Sequence, residues 1–99
     1  MDTLDGVIVA LCHDYERRQL AIEEGKLGRR VLMEYAYVNQ RMREAAALVV
    51  GERWCEVYIK EIGDKVGYAK TKLWLNERSY KMNKSKIKRA IAKSLYLLD

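Results

Sequence analysis

Apolar positions recur at alternating intervals of four and three residues throughout the first half of the chain. This spacing keeps the side chains on one face of a helix. Gly25 and Gly28 bracket a short turn between residues 3–23 and 29–50. The pattern therefore predicts an antiparallel helical hairpin over residues 1–50. Its two stripes are Leu4, Ile8, Leu11, Tyr15 and Ile22, with Arg18 in an intervening position, and Val31, Tyr35, Val38, Met42, Ala45 and Val49.

Gly51 separates the hairpin from residues 51–99, where shorter apolar repeats predict three further helices. A third helix is predicted over residues 52–66 and a fourth over residues 70–80. A fifth is predicted to begin at residue 83 or 85 and to end at residue 98. Met82 and its neighbours can instead continue the fourth helix. The predicted fold is all-α, with about five helices in a single domain.

Residues 59–78, IKEIGDKVGYAKTKLWLNER, have the spacing of a helix–turn–helix. Gly67 is placed to end the first helix at positive φ, and Gly63 to let the second helix approach the first closely. The small core between the helices is predicted to consist of Ile62, Val66, Tyr68 and Leu73, with Lys70, Thr71, Lys72 and Trp74 directed outward. The alternative is an ordinary helical corner with no role in DNA binding.

The segment resembles helix–turn–helix regulators of Gram-positive phages and mobile elements, of the sigma-region-4-like kind. The resemblance covers about a fifth of the chain and depends on Ile62, Gly63, Val66, Gly67, Tyr68, Thr71 and Leu73. It implies a sequence-specific DNA-binding transcription regulator. One position departs from the pattern, because Asn76 occupies a place that is usually aliphatic. Either the second helix is rotated so that Trp74 or Leu75 packs instead, or the motif is degenerate.

The net positive charge is concentrated in the second half of the chain. Residues 1–50 carry seven basic and eight acidic residues, whereas residues 51–99 carry twelve basic and six acidic ones. Ten bases and one acid, Glu77, lie between Lys65 and Lys93. Such a block indicates binding to a polyanion, and double-stranded DNA is the predicted partner. The predicted DNA-binding residues are Lys70, Thr71, Lys72, Trp74, Arg78, Lys81, Lys84, Lys86 and Lys88, with base reading expected at Lys70 and Thr71.

Composition and length favour a small cytoplasmic helical protein. The 99 residues contain no proline, and no apolar run approaches the ~20 residues of a membrane span. The acidic N-terminus is unlike a secretory signal. Cys12 and Cys55 are expected to be reduced thiols. With His13 as the single histidine, the sequence predicts no metal site, no cofactor and no enzymatic activity.

The sequence leaves alternatives for the oligomeric state and for the partner of the basic face. The long stripes of the hairpin favour a homodimer through a four-helix bundle, but they can equally pack on the chain's own C-terminal helices. The basic face can also bind a host protein, with aromatic residues as interface anchors. The candidate interface anchors are Tyr35, Tyr37, Trp54, Tyr58, Trp74 and Tyr80. A single-strand binder that uses aromatic stacking ranks last, because the aromatics follow the spacing of a helical core.

Overall fold

The computed structural model describes residues 3–97, and within that range it contains five α-helices, one 3-10 turn and no strand. The helices are α1 (Thr3–His13), α2 (Tyr15–Glu24), α3 (Arg29–Val50), α4 (Cys55–Gly63) and α5 (Glu77–Ser94), and the 3-10 turn spans Tyr68–Lys70. The predicted all-α class is confirmed.

The hairpin of residues 1–50 has the predicted second helix but an interrupted first one. α3 has the predicted bounds, and the turn before it begins at Gly25, which has φ of 65° and donates its N–H to the Ala21 carbonyl. A continuous helix over residues 3–23 was wrong, because Asp14 divides it into α1 and α2. Backbone hydrogen bonds still join Asp14 to Ala10 and Arg18, so the division is a kink rather than a loop.

Two tertiary contacts lie at the kink. A Cβ added at Gly63 would lie 2.5 Å from the His13 nitrogen, so α4 passes directly against the backbone at the end of α1. On the other side, the buried Arg18 guanidinium donates to the Leu11 carbonyl at 2.6 Å and to the Asn39 carboxamide oxygen at 2.7 Å. A side chain that inserts into the backbone hydrogen bonds of a helix is a recognised cause of helix bending, and Leu11 lies about two turns before Arg18. The close approach expected of Gly63 is therefore made to α1 and not to a helix that follows it.

The hydrophobic core lies where α1, the C-terminal half of α3, α4 and α5 meet. Met42 and Ala45 of the hairpin stripe are buried there against the chain's own C-terminal helices. Residues from both halves of the sequence thus share one core. Its most buried members include Ile8, Met42, Ala46, Cys55, Tyr58, Ile59, Tyr80, Ile87 and Ile91.

The third helix ends earlier than its apolar repeat predicts. α4 stops at Gly63, and the chain then turns through Lys65, whose φ is 55°. Two backbone bonds close this turn, from Lys65 N–H to the Ile62 carbonyl and from Val66 N–H to the Glu61 carbonyl. Positive φ was expected at Gly67, which instead has φ of −80° in extended backbone. The left-handed position therefore falls on a lysine.

The predicted fourth helix over residues 70–80 is wrong. After the 3-10 turn, residues 71–76 are non-helical, and α5 begins at Glu77. Asn76 is the N-cap, with its side-chain oxygen accepting the Ser79 N–H at 2.8 Å. The residue that departs from the helix–turn–helix pattern is thus the one that starts the next helix. α5 covers positions assigned to both the fourth and fifth helices and ends at Ser94, while the predicted end at residue 98 lies outside the described residues.

None of the five described helices has the combination of length and apolarity needed to cross a lipid bilayer.

Candidate nucleic-acid interface

α5 carries a basic face that is directed away from the core. Its inner face supplies Tyr80, Ile87 and Ile91 to the core, and at 3.6 residues per turn the opposite face presents a row of exposed residues. The only acid in α5 is Glu77, which pairs with Lys81 at 2.9 Å. Four exposed bases on the outer face form a basic stripe, namely Arg78, Lys86, Arg89 and Lys93.

The basic stripe is long enough to follow a nucleic-acid groove. Arg78 and Lys93 are fifteen residues apart, so at a helical rise of 1.5 Å the stripe extends over about 22 Å. Met82 and Ser85 lie between its members and are also exposed. No acidic side chain of α5 interrupts this face.

Two lysines that were predicted to bind DNA have partners inside the protein. Lys84 is half-buried, and its Nζ donates to the Val66 carbonyl at 2.8 Å and lies 4.9 Å from the centre of the Tyr80 ring. Burial, with the charge of Lys88, lowers the pKa of Lys84. Lys88 Nζ lies 2.8 Å from Asp5 Oδ1 and so joins α5 to α1. Both lysines hold the fold together, in contrast to the exposed bases of the stripe.

A buried carboxylate holds residues 71–76 in their non-helical conformation. Glu61 accepts hydrogen bonds from the Thr71 hydroxyl at 2.6 Å, the Lys72 N–H at 3.0 Å and the Tyr80 hydroxyl at 2.8 Å. Burial alone would raise the pKa of Glu61, but these bonds outweigh it and lower the pKa below its ordinary value. Burial and the bond to Glu61 raise the pKa of Tyr80 to about 12. Leu73, which is buried, fixes the middle of the segment.

The predicted base-reading residues are therefore not on a helix that could enter a groove. Lys70 ends the 3-10 turn, and Thr71 uses its hydroxyl to bind Glu61. Lys70 and Lys72 are exposed on this loop, and Trp74 is completely exposed. The structure leaves these side chains available for contact, but as members of a loop next to α5.

The aromatic residues divide into core and surface sets. Tyr58 and Tyr80 are buried and stack with their ring centres 6.0 Å apart, so they are not interface anchors. Tyr37, Trp54 and Trp74 are exposed. The helical spacing of the aromatic residues predicted that they lie in the core, and this prediction is confirmed for Tyr58 and Tyr80.

The cysteines and the histidine do not form a cluster. Cys12 and Cys55 are buried free thiols, and burial raises the pKa of Cys12 to about 12, so that thiol is protonated at neutral pH. His13 is exposed, with Nδ1 3.8 Å from the Asp64 carboxylate. Among the described residues there is no group of three or more His, Cys, Asp or Glu side chains suited to a metal ion.

Sequence reasoning missed Arg89 and Lys93 as candidate site residues. Their spacing from Arg78, at eleven and fifteen residues, is that of one helix face, but the predicted helix boundary at residue 83 or 85 placed Arg78 on a different helix. Comparisons with known family models, curated proteins and solved structures find no match.

Proposed function

We propose that this protein binds double-stranded DNA through the basic stripe of α5, and that Lys70 and Lys72 of the adjoining loop add phosphate contacts. The observation that carries the proposal is the outer face of one long helix, where four exposed bases are separated by no acidic residue of that helix. The major groove of B-DNA, about 12 Å wide, admits an α-helix. Because only the inner face of α5 is packed on the core, its outer face can approach the groove.

The two arginines of the stripe are the best candidates for base reading. A guanidinium can donate two parallel hydrogen bonds to guanine O6 and N7, which a lysine does with less geometric specificity. Arg78 and Arg89 take this role in place of Lys70 and Thr71. Lys86 and Lys93 bind phosphates, which sets affinity rather than sequence preference. A protein with both kinds of contact fits the small transcription regulator that the sequence resemblance implies.

A salt series with matched charge variants tests the proposal. Replacing Lys86, Arg89 and Lys93 together by alanine should weaken binding to duplex DNA and flatten the dependence of log K on log salt. The slope should change by about 0.9 for each phosphate that the variant no longer neutralises. The control replaces Lys26, Arg29 and Arg30, three exposed bases at the tip of the hairpin, and alters net charge equally. Equal reductions of affinity in the two variants would mean that only overall charge matters, and the basic stripe would have no special role.

The exposed hairpin surface supports a second copy of the chain as a further partner. Met33 and Tyr37 lie one turn apart on the outer side of α3, and 62% and 52% of their surfaces are exposed. A homodimer would bring two basic stripes to one duplex, as in regulators that bind two half-sites. Sedimentation over a concentration series should show self-association that M33E abolishes. A parent that stays monomeric at every concentration would instead favour a host protein as the occupant of this surface.

A further inference from the structure

Both tryptophans of the chain line one surface cleft beside α5. The cleft has a volume of about 310 Å³ and lies between the end of α3, the start of α4, the loop before α5 and α5 itself. Trp74 is 100% exposed and Trp54 is 43% exposed, so the cleft is open at the indole rings. Its lining consists of Val49, Val50, Trp54, Tyr58, Leu73, Trp74, Leu75 and Asn83.

Basic residues adjoin the lining of the cleft, one by contact and two through the sequence. The Arg53 guanidinium lies 4.9 Å from the centre of the Trp54 ring, and Lys72 immediately precedes the lining residue Leu73. Asn83 contributes a carboxamide, whose nitrogen donates to the Tyr58 hydroxyl at 3.0 Å. Lys86 of the basic stripe follows Asn83 by three residues, so the two are neighbours on the surface of α5.

This combination matches the chemistry of a nucleotide better than that of an apolar protein side chain. Exposed aromatic rings offer a surface on which a base can stack, and adjacent cations neutralise the phosphate attached to it. A carboxamide can bond the polar edge of a base. An apolar anchor from a protein partner would need the rings but would gain nothing from the surrounding charges.

We infer that the cleft between Trp54 and Trp74 binds an unstacked base of single-stranded DNA that adjoins the duplex held by the basic stripe. The inference rests on the proposed DNA binding, because Lys86 would contact both parts of the ligand. It adds a ligand class that the duplex proposal does not contain. The loop before α5, which was predicted to belong to a fourth helix, then serves to carry Trp74 to the cleft.

The tryptophans provide a direct measurement, because the chain contains two and both line the cleft. The probes are a blunt duplex and the same duplex with a single-stranded oligothymidine extension. Binding of each is measured by anisotropy of a dye on the DNA, and stacking by quenching of intrinsic tryptophan fluorescence. The extended duplex should bind more tightly and quench the fluorescence, whereas the blunt duplex should bind without quenching.

Substitution of Trp74 separates stacking from general effects. W74A should remove the affinity that the extension adds, a decrease of about 5- to 150-fold if one base stacks on the ring. W74F should keep most of that affinity, because it retains an aromatic face. The control is Y96A, which removes another exposed aromatic that lies outside the cleft and next to Arg41. Its binding should match the parent on both probes.

The outcomes separate this inference from the duplex proposal. Equal affinity for the two probes, with no quenching by either, would overturn the cleft as a base site and leave the basic stripe intact. Equal quenching by the blunt duplex would also overturn it, since no unstacked base is present there. Failure of both probes to bind would overturn duplex binding as well. Quenching by unilamellar vesicles of anionic lipid, with none by the extended duplex, would assign the cleft to a membrane surface instead.

Discussion

Replacing Glu61 by glutamine is expected to release the loop that precedes α5. Glutamine keeps the size of the side chain but turns one carboxylate oxygen into an NH₂ donor. If the remaining oxygen still accepts the hydrogen bonds from the Thr71 and Tyr80 hydroxyl groups, the new NH₂ group faces the Lys72 N–H. Two donors then face each other, and the hydrogen bond from Lys72 is lost. The backbone of segment 71–76 would then no longer be fixed to α4.

The magnitude follows from the three hydrogen bonds of Glu61. A bond to a charged group contributes ~1.5–3 kcal/mol, whereas a neutral one contributes ~0.5–1.5 kcal/mol. Losing one bond and weakening the other two gives a destabilisation of at least about 3 kcal/mol. For a domain of this size such a change lowers Tm by roughly 12–24 °C. Urea unfolding followed by circular dichroism would measure the free energy of unfolding directly.

The pH dependence provides an independent check on the same group. The pKa of Glu61 is lowered in the folded state, so its ionised form contributes stability above the ordinary pKa of 4.5. That contribution is lost as the pH falls through the folded-state pKa. The difference in unfolding free energy between the parent and E61Q should therefore be constant near neutral pH and shrink below about pH 4.5.

An exposed glutamate provides the matched control. E44Q makes the same chemical change on the outer side of α3, where Glu44 bonds to the exposed Gln40, and it should change the unfolding free energy by less than ~0.5 kcal/mol. Equal stability of E61Q and E44Q at pH 7 would refute the role assigned to Glu61. So would a difference from the parent that persists unchanged at pH 3.

Three further substitutions test the backbone and the buried polar contacts. G63A should destabilise the protein by ~1–3 kcal/mol, because the added Cβ would lie 2.5 Å from the backbone of α1. The control G6A, in open space on a helix, should stabilise the protein slightly, and urea unfolding of both variants would show the direction of each change. K65G should raise stability by roughly 0.5–1 kcal/mol, because it relieves a left-handed residue at some entropic cost, and an unchanged or lower Tm would contradict this. N39A should lower the free energy of unfolding by ~2–4 kcal/mol, because the buried Arg18 guanidinium and the Tyr15 carbonyl lose their partner. The exposed control Q40A should be nearly neutral, and similar Tm values for the two variants would show that the buried hydrogen bonds contribute nothing.

Local spacing was sufficient to predict the bounds of a helix that is flanked by glycines at both ends. The bounds of α3 followed from its stripe together with Gly28 and Gly51, and the hairpin turn followed from Gly25. The kink at Asp14 had no such local sign, because no proline or glycine lies there. The residue that contacts the end of α1 at this kink is Gly63, which is fifty residues away in sequence.

The loop of residues 71–76 shows how a distant side chain overrides helix propensity. The segment contains good helix formers and an apolar spacing that fits a helix, but Glu61 of α4 captures the Thr71 hydroxyl and the Lys72 N–H. A sequence gives no indication that a glutamate ten residues earlier will do this. Asn76 stands out in the sequence as the one departure from the helix–turn–helix pattern, but its role as an N-cap was not predicted.

The proposed DNA-binding face does not depend on the predicted fourth helix, because the excess of basic residues is a property of the sequence and not of the helix bounds. The excess of bases between residues 65 and 93 is a property of composition, and any helix through that region presents some of them outward. Which bases are exposed depends on which face of the helix packs on the core. Because Tyr80, Ile87 and Ile91 form the buried face of α5, Lys84 and Lys88 bind the Val66 carbonyl and Asp5, while Arg89 and Lys93 share the open side with Arg78. The candidate interface therefore lies on the outer face of α5 and not on a short second helix.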